Sequence, residues 1–372
     1  MKKRSLICLG LASVMALSLA GCGVSAPETT AATEAAAETT NAEEETKAEA
    51  AETASETTAA ETEATAPEQV FTMNIGSAVS ATNPSTVALQ SFKEAVEKRT
   101  NGGIKVEIFP DSALGGETDL VEQVRNGDTE ACMQMGAANF SSLNPEVNFA
   151  LLPFLFTSLD NARAAWDGEL GKQYAEKLIE PMGYKVLSIW ESGYRHMTNN
   201  TKPIVEPEDV KGIKFRTNEN EMKVAMYDAL DASVVIMPFS DVYTGLQNGT
   251  IDGQENPLAN IYTSSIQDVQ KYLSLTGHMY DAAPLVCNLD WFNSLPEDYQ
   301  TILLEEAANA KKIDLEENDE AKYLQLLKDS GIEINEVDAP AFQEKMTPVW
   351  NDFAAQFEDG QDWIDLATSF NK

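Results

Sequence analysis

From residue 70 onward, short runs with period-two alternation are separated by longer amphipathic segments, and that rhythm restricts the chain to a layered α/β architecture. Residues 70–75 read as a strand, 86–98 as an amphipathic helix, and 104–109 as a second strand. A helix over 117–124, ended by Asn126-Gly127, leads to a third strand over 130–135, the βαβ order of a parallel sheet. A helix over 161–179 closes at Pro181-Met182-Gly183, and a strand over 184–190 comes next. A second set then runs strand 213–216, helix 219–230, strand 233–237 and helix 239–247, ending at Asn248-Gly249. A strand over 284–288 and a long charged helix within 296–330 complete the pattern. The expected organisation is a first lobe over 69–194, a second lobe over 195–278, and a return to the first over 279–372 through a long connecting helix and C-terminal helices. Two such lobes place a cleft between them at the carboxyl ends of their strands, where ligands settle in open α/β sheets. No internal repeat of fixed period occurs.

Ahead of this region stand two segments of another kind. Met1-Lys2-Lys3-Arg4 precedes an apolar run of about 15 residues, shorter than the roughly 20 that cross a bilayer, and small residues come after it. This is the composition of a secretory signal over residues 1–22. Its end, Leu19-Ala20-Gly21-Cys22, resembles the bacterial lipobox, in which the cysteine is lipidated and becomes the new N-terminus; the alternative is a cleaved signal with an incidental cysteine. Residues 23–68 are almost wholly Ala, Glu, Thr and Ser, with no aromatic residue and Val24 the sole large aliphatic one. Such a segment cannot offset its own ordering entropy, so an extended, disordered acidic stalk is expected. It would hold the domain beyond it off a membrane surface.

The formal net charge is −34, of which −26 falls on residues 69–372 once the leader and stalk are set aside. That charge argues against nucleic acid or an anionic membrane surface as partner of the domain, because phosphate binding needs concentrated Lys and Arg. An anionic ligand would need local arginines in a closed cleft to overcome the field of the whole body. Cys132 and Cys287 lie in apolar stretches without CxxC or metal-ligand spacing, which predicts two buried thiols and leaves a disulfide between them open.

No GxGxxG, P-loop, GxSxG, HExxH or EF-hand spacing occurs, and His196 and His278 are the only histidines. The expectation is therefore no enzyme, no catalytic residues, no cofactor and no metal. What the sequence does offer is a series of arginines and amides at strand ends. Gly193-Tyr194-Arg195 comes after the strand ending at Trp190, Lys214-Phe215-Arg216 ends another, and Gln254-Glu255-Asn256-Pro257 reads as a turn. An arginine there can hold a carboxylate through two parallel charge-assisted hydrogen bonds, and an asparagine amide can add a donor. Taken singly, each residue fits an ion pair, a turn or the core equally well.

Taken in order, these segments resemble the solute-binding subunit of TRAP transporters, the tripartite ATP-independent uptake systems for organic acids. The resemblance spans residues 70–340 and is carried by Gly193-Tyr194-Arg195…Thr198-Asn199, Lys211-Gly212-Ile213-Lys214-Phe215-Arg216, and Pro238-Phe239-Ser240-Asp241-Val242-Tyr243. Gln247-Asn248-Gly249 and Ile251-Asp252-Gly253-Gln254-Glu255-Asn256-Pro257 continue it, with Leu114-Gly115-Gly116-Glu117 and Leu151-Leu152-Pro153-Phe154 in support. It implies a two-lobed, periplasmic-binding-protein-like fold that closes on one ligand, with a membrane permease as partner. It also implies roles: Arg216 for the main salt bridge to a ligand carboxylate, Asn256 on the same carboxylate, Arg195 as a second cation, Phe239 covering the ligand, and Glu117 toward its hydroxyls. His278 and Tyr280 are further candidates. Sialate binders of the family carry a glutamate after the third strand, where this chain has Met135 or Gly136; a sugar acid such as a uronate, or a C4-dicarboxylate, fits better. The expected location is extracytoplasmic, at the outer face of the cytoplasmic membrane through a lipid on Cys22, or periplasmic. A sensory system and a lipid-anchored hydrolase are the alternative functions.

Overall fold

The structure, a computed structural model, describes residues 69–371. The leader, Cys22 and the stalk lie outside the described residues.

The chain opens β1 (Phe71–Ser77), α1 (Pro84–Arg99), β2 (Ile104–Phe109), α2 (Glu117–Asn126) and β3 (Ala131–Met133). Local chemistry sets the ends of these helices. Asn83 accepts the Ser85 N–H, Pro84 supplies the first helical φ of α1, and Lys98 and Arg99 face the negative end of its dipole. Acidic Glu117 and Asp119 open α2, and Gly127 ends it at φ 78°, a conformation that favours glycine. The 161–179 helix is in fact divided: α3 (Leu159–Asp167), α4 (Glu169–Gln173), and a π-helical turn over Tyr174–Ile179. The break falls at Gly168, whose φ of −102° and ψ of −145° are not helical.

Two long strands dominate the middle of the chain. β4 runs over Tyr184–Asn199, with β5 (Lys214–Thr217), α5 (Glu221–Ala229), β6 (Ser233–Ile236), α6 (Val242–Gln247), β7 (Gly253–Pro257) and α7 (Leu258–Thr263) after it. β8 then runs over Tyr272–Asn288. The 184–190 and 284–288 strands are thus each a fragment of a much longer one, and the 253–257 turn is a strand. The reason is pairing. β4 and β8 lie antiparallel from Tyr184↔Asn288 to Asn199↔Tyr272, with register shifts at 186/188, 191/193 and 195/197 that erase any simple alternation. Both strands are buried on both faces along most of their length, so apolar and polar residues do not alternate either.

The remaining elements are α8 (Leu289–Ser294), α9 (Glu297–Glu317), α10 (Glu320–Ser330), β9 (Glu333–Glu336), α11 (Ala339–Gln356) and α12 (Gly360–Thr368). The single long helix expected over 296–330 is two, because Asn318 leaves the helical region and Asp319 caps α10, accepting the Ala321 and Lys322 N–H groups.

One mixed sheet orders the strands β2-β1-β3-β8-β4-β7-β5-β6, with β9 on β8. β1 is parallel to β2 and β3, and β5 is parallel to β6 and β7, while β8 and β4 join these two groups antiparallel. The parallel order read for the first three strands is present, and an antiparallel pair joins that group to a second parallel one. One buried apolar cluster holds α1, β1 and β3 against α9; another holds α6 and α7 against α10. Cys132 and Cys287 are buried and both free.

Candidate ligand-binding site

The five candidate side chains of the domain converge. Arg216 of β5, Arg195 of β4, Asn256 of β7, Phe239 just before α6, and Glu117 of the first turn of α2 line one cavity. Because β4, β7 and β5 are neighbours in the sheet, Arg195, Asn256 and Arg216 reach the same space from three strands. The cavity encloses about 330 Å³, including its mouth. Three amide contacts bridge the two strand groups beside it: Asn83 to Asn260 at 2.7 Å, Asn218 to Asn139 at 3.3 Å, and Asn220 to Asn148 at 2.8 Å.

Arg216 is 3% exposed. Its Nε donates to the Met237 carbonyl at 2.9 Å, and its guanidinium carbon lies 5.8 Å from the centre of the Phe239 ring. Among the described residues Nη2 is buried without a hydrogen-bond partner. Burial draws the guanidinium pKa down to about 10, against the opposing pull of Glu117 and Glu255. The charged form is the costly one, so an anion arriving at Nη2 is stabilising.

Arg195 is placed differently. Its Nε donates to Glu255 Oε2, its Nη1 to Asp281 Oδ2 at 2.9 Å, and its Nη2 to the Glu255 carbonyl, Glu255 Oε1 and Asn256 Oδ1 at 2.8, 2.9 and 3.1 Å. Burial opposes its charge, but Glu255 and then Asp281 outweigh this and raise its pKa. Most of its donors are committed inside the protein, so it fixes Asn256 and Asp281 in position and has little left for a ligand.

Lys223 Nζ stands 3.3 Å from Glu255 Oε1, and His278 Nε2 3.4 Å from Glu255 Oε2. Burial and then repulsion from Arg195 lower the Lys223 pKa. Burial would raise that of Glu255, yet Arg195 and Lys223 hold it well below the ordinary carboxylate range. His278 therefore sits behind the cavity, on the far partner of Arg195. Tyr280 is also elsewhere, its hydroxyl donating to Glu191 Oε2 at 3.0 Å. Among the described residues no group of three or more His, Cys, Asp or Glu side chains could hold a metal ion.

Lys223, Asp281, Asn139 and Asn218 also line the cavity and were not singled out by the sequence. Two of them carried a signal. Lys223 stands on the stripe 223, 226, 227 and 230 with Met226, Tyr227 and Leu230, and Asp281 is the one acid in the run 279–287.

Residues 75–356 match the family described as bacterial extracellular solute-binding protein, family 7. The 2,3-diketo-L-gulonate-binding periplasmic protein of Escherichia coli is 35% identical over 278 residues, 74% of this chain and 84% of that protein. The sugar acid binding protein of Advenella mimigardefordensis, solved with galactonate, superposes with a TM-score of 0.78 at 29% identity, over 82% of this chain and 99% of that one. A TRAP periplasmic solute binding protein of Sulfurospirillum deleyianum, solved with succinate, gives 0.76 at 29% identity, over 82% and 100%. The α/β fold of this chain matches those two-lobed solute-binding structures.

Proposed function

The chain belongs to the bacterial extracellular solute-binding protein family 7. From that premise we propose that it captures a small organic carboxylate on Arg216, outside the cytoplasm, and hands it to the membrane permease of a TRAP transporter. The observation that carries this reading is the buried Nη2 of Arg216, which has no hydrogen-bond partner among the described residues. A ligand carboxylate on the two terminal nitrogens neutralises the cation and supplies the missing acceptor. Asn256 has its Oδ1 engaged by Arg195 and one amide hydrogen on Gln254, which leaves the other hydrogen for the same carboxylate. Phe239 covers the guanidinium and excludes water from the pair.

Closure is driven by the same charge. With Arg216 unneutralised, drawing the two strand groups together over it is costly, and a hydrated, open cleft is favoured. A bound carboxylate removes that cost and shifts the population toward the closed form. We assign residues 195–278 to the moving second lobe and Cys22 to a lipid tether, with the acidic stalk as spacer.

Thermal unfolding of the chain against sugar acids, C4-dicarboxylates, keto acids and neutral sugars tests the reading. At about a hundred times its dissociation constant, the right acid adds roughly 2.7 kcal/mol and raises Tm by several degrees. A shift with a neutral sugar and silence with every acid would overturn the carboxylate reading.

A further inference from the structure

The polar atoms that the cavity leaves without partners are unequal in kind. On the donor side stands Nη2 of Arg216. On the acceptor side stand Asp281 Oδ1 and Asn218 Oδ1, both buried and both without a hydrogen-bond partner among the described residues. Glu117 adds a carboxylate that enters no hydrogen bond or ion pair with another described residue.

The orientation of Asn218 is dictated by a relay of amides. Gln134 Nε2 donates to the Glu117 carbonyl at 3.2 Å, and a carbonyl can only accept. Gln134 Oε1 must therefore accept from Asn139 Nδ2, at 3.0 Å, and Asn139 Oδ1 from Asn218 Nδ2, at 3.3 Å. With one Nδ2 hydrogen committed to Asn139 and the amide's orientation so fixed, the buried Oδ1 is the acceptor that Asn218 offers at the cavity. Gly136 contributes by omission of a side chain: a Cβ there would lie 3.1 Å from Asp281 Oδ1 and 3.2 Å from Asn139 Oδ1.

We propose that this site selects a polyhydroxylated monocarboxylate, an aldonate or uronate, over a dicarboxylate, with Asp281, Asn218 and Glu117 accepting hydrogens from its hydroxyls. The inference rests on the carboxylate reading of Arg216. One carboxylate satisfies the donor end, and hydroxyls satisfy the acceptors. A second carboxylate offers lone pairs to lone pairs and places a negative charge beside Asp281 and Glu117. Lys223 does not reverse the preference, since its ammonium already faces Glu255. A monoanion is matched by Arg216, whereas the second charge of a dianion finds Arg195 and Lys223 already paired with Glu255 and Asp281.

Isothermal calorimetry on the full chain with erythronate, galactonate, galacturonate, 2,3-diketogulonate and succinate decides it. At least one sugar acid should bind about tenfold or more tighter than succinate, the scale on which a site built for hydroxyls rejects a ligand lacking them. Glu117→Gln should narrow that ratio, weakening the sugar acid while relieving repulsion on succinate, a change that a merely structural role would not produce. Gly136→Ala, at an extended φ of −164° that any residue adopts, should weaken the sugar acid by crowding Asp281. Succinate binding as tightly as every sugar acid would overturn the inference and leave the carboxylate reading standing. Silence with all five acids would sink both.

Discussion

Arg216 is a cation whose burial is costly in the proposed closed form without a ligand carboxylate, and its substitution separates binding from stability. Arg216→Ala should lower affinity by about 3–5 kcal/mol, the scale for removing one partner of a buried charge pair. Its ligand-free Tm should be unchanged, because the open cleft proposed for the ligand-free protein keeps the guanidinium hydrated. Arg216→Lys should recover part of the affinity at most, since an ammonium lacks the planar fork. Calorimetry and thermal unfolding of the same samples check both halves, and a large loss of ligand-free stability would instead make Arg216 a structural residue. At this scale the sequence was informative where residues sit in recognisable strings: Arg216, Asn256, Phe239 and Glu117 all arrive at the cavity. It was silent on Asn139 and Asn218, because nothing local marks an amide whose orientation is set by a relay through Gln134. It gave Arg195 a ligand role, whereas the strand pairing beside Pro257 delivers that guanidinium to Glu255.

The break between α9 and α10 is an element with its own electrostatics. Asp314, in the last turns of α9, is wholly buried. Its Oδ2 accepts the Glu191 N–H at 3.0 Å, while Oδ1 has no partner among the described residues. Asn318, at the break, donates to the Glu191 and Ser192 carbonyls, both at 3.3 Å. The helix break therefore clasps β4 where its register with β8 shifts and Gly193 adopts φ 104°. Burial pushes the Asp314 carboxyl up to about 8. A folded-state pKa above the unfolded value means that the folded chain holds the extra proton, so stability falls as pH rises from about 4 to about 8. Asp314→Asn keeps the acceptor and supplies hydrogens of its own, and should flatten that slope and stabilise the chain at pH 8. Denaturant unfolding across pH 5–8 measures it; an unchanged slope would place the sensitivity in another group. Legibility was lower for elements than for residues. The short strands and helices were readable from period and caps, while β4 and β8 were read only as the fragments 184–190 and 284–288, since burial on both faces and three register shifts removed the alternation along the rest.

For the whole molecule, the proposed closure would also bring together side chains outside the Arg216 cavity. Asn148 Oδ1 accepts from Asn220 Nδ2 at 2.8 Å across the two strand groups, and Asn148 is not among the residues lining the Arg216 cavity. Asn148→Ala should therefore weaken ligand binding several-fold, chiefly through faster release, with the Arg216 contacts unaltered. Stopped-flow dissociation against equilibrium affinity separates the two rates, and an unchanged release rate would remove this bond from the closing step.

The bridging contacts Asn83–Asn260, Asn139–Asn218 and Asn148–Asn220 are all neutral amides. A clasp built of ion pairs would slacken in brine and come undone in acid, and a chain carrying so many like charges lives by the ions around it. An amide has no proton to lose near neutrality and no counterion to shed. In the proposed closure such a grip would hold alike in dilute and salty water, and the ligand would decide whether it is applied.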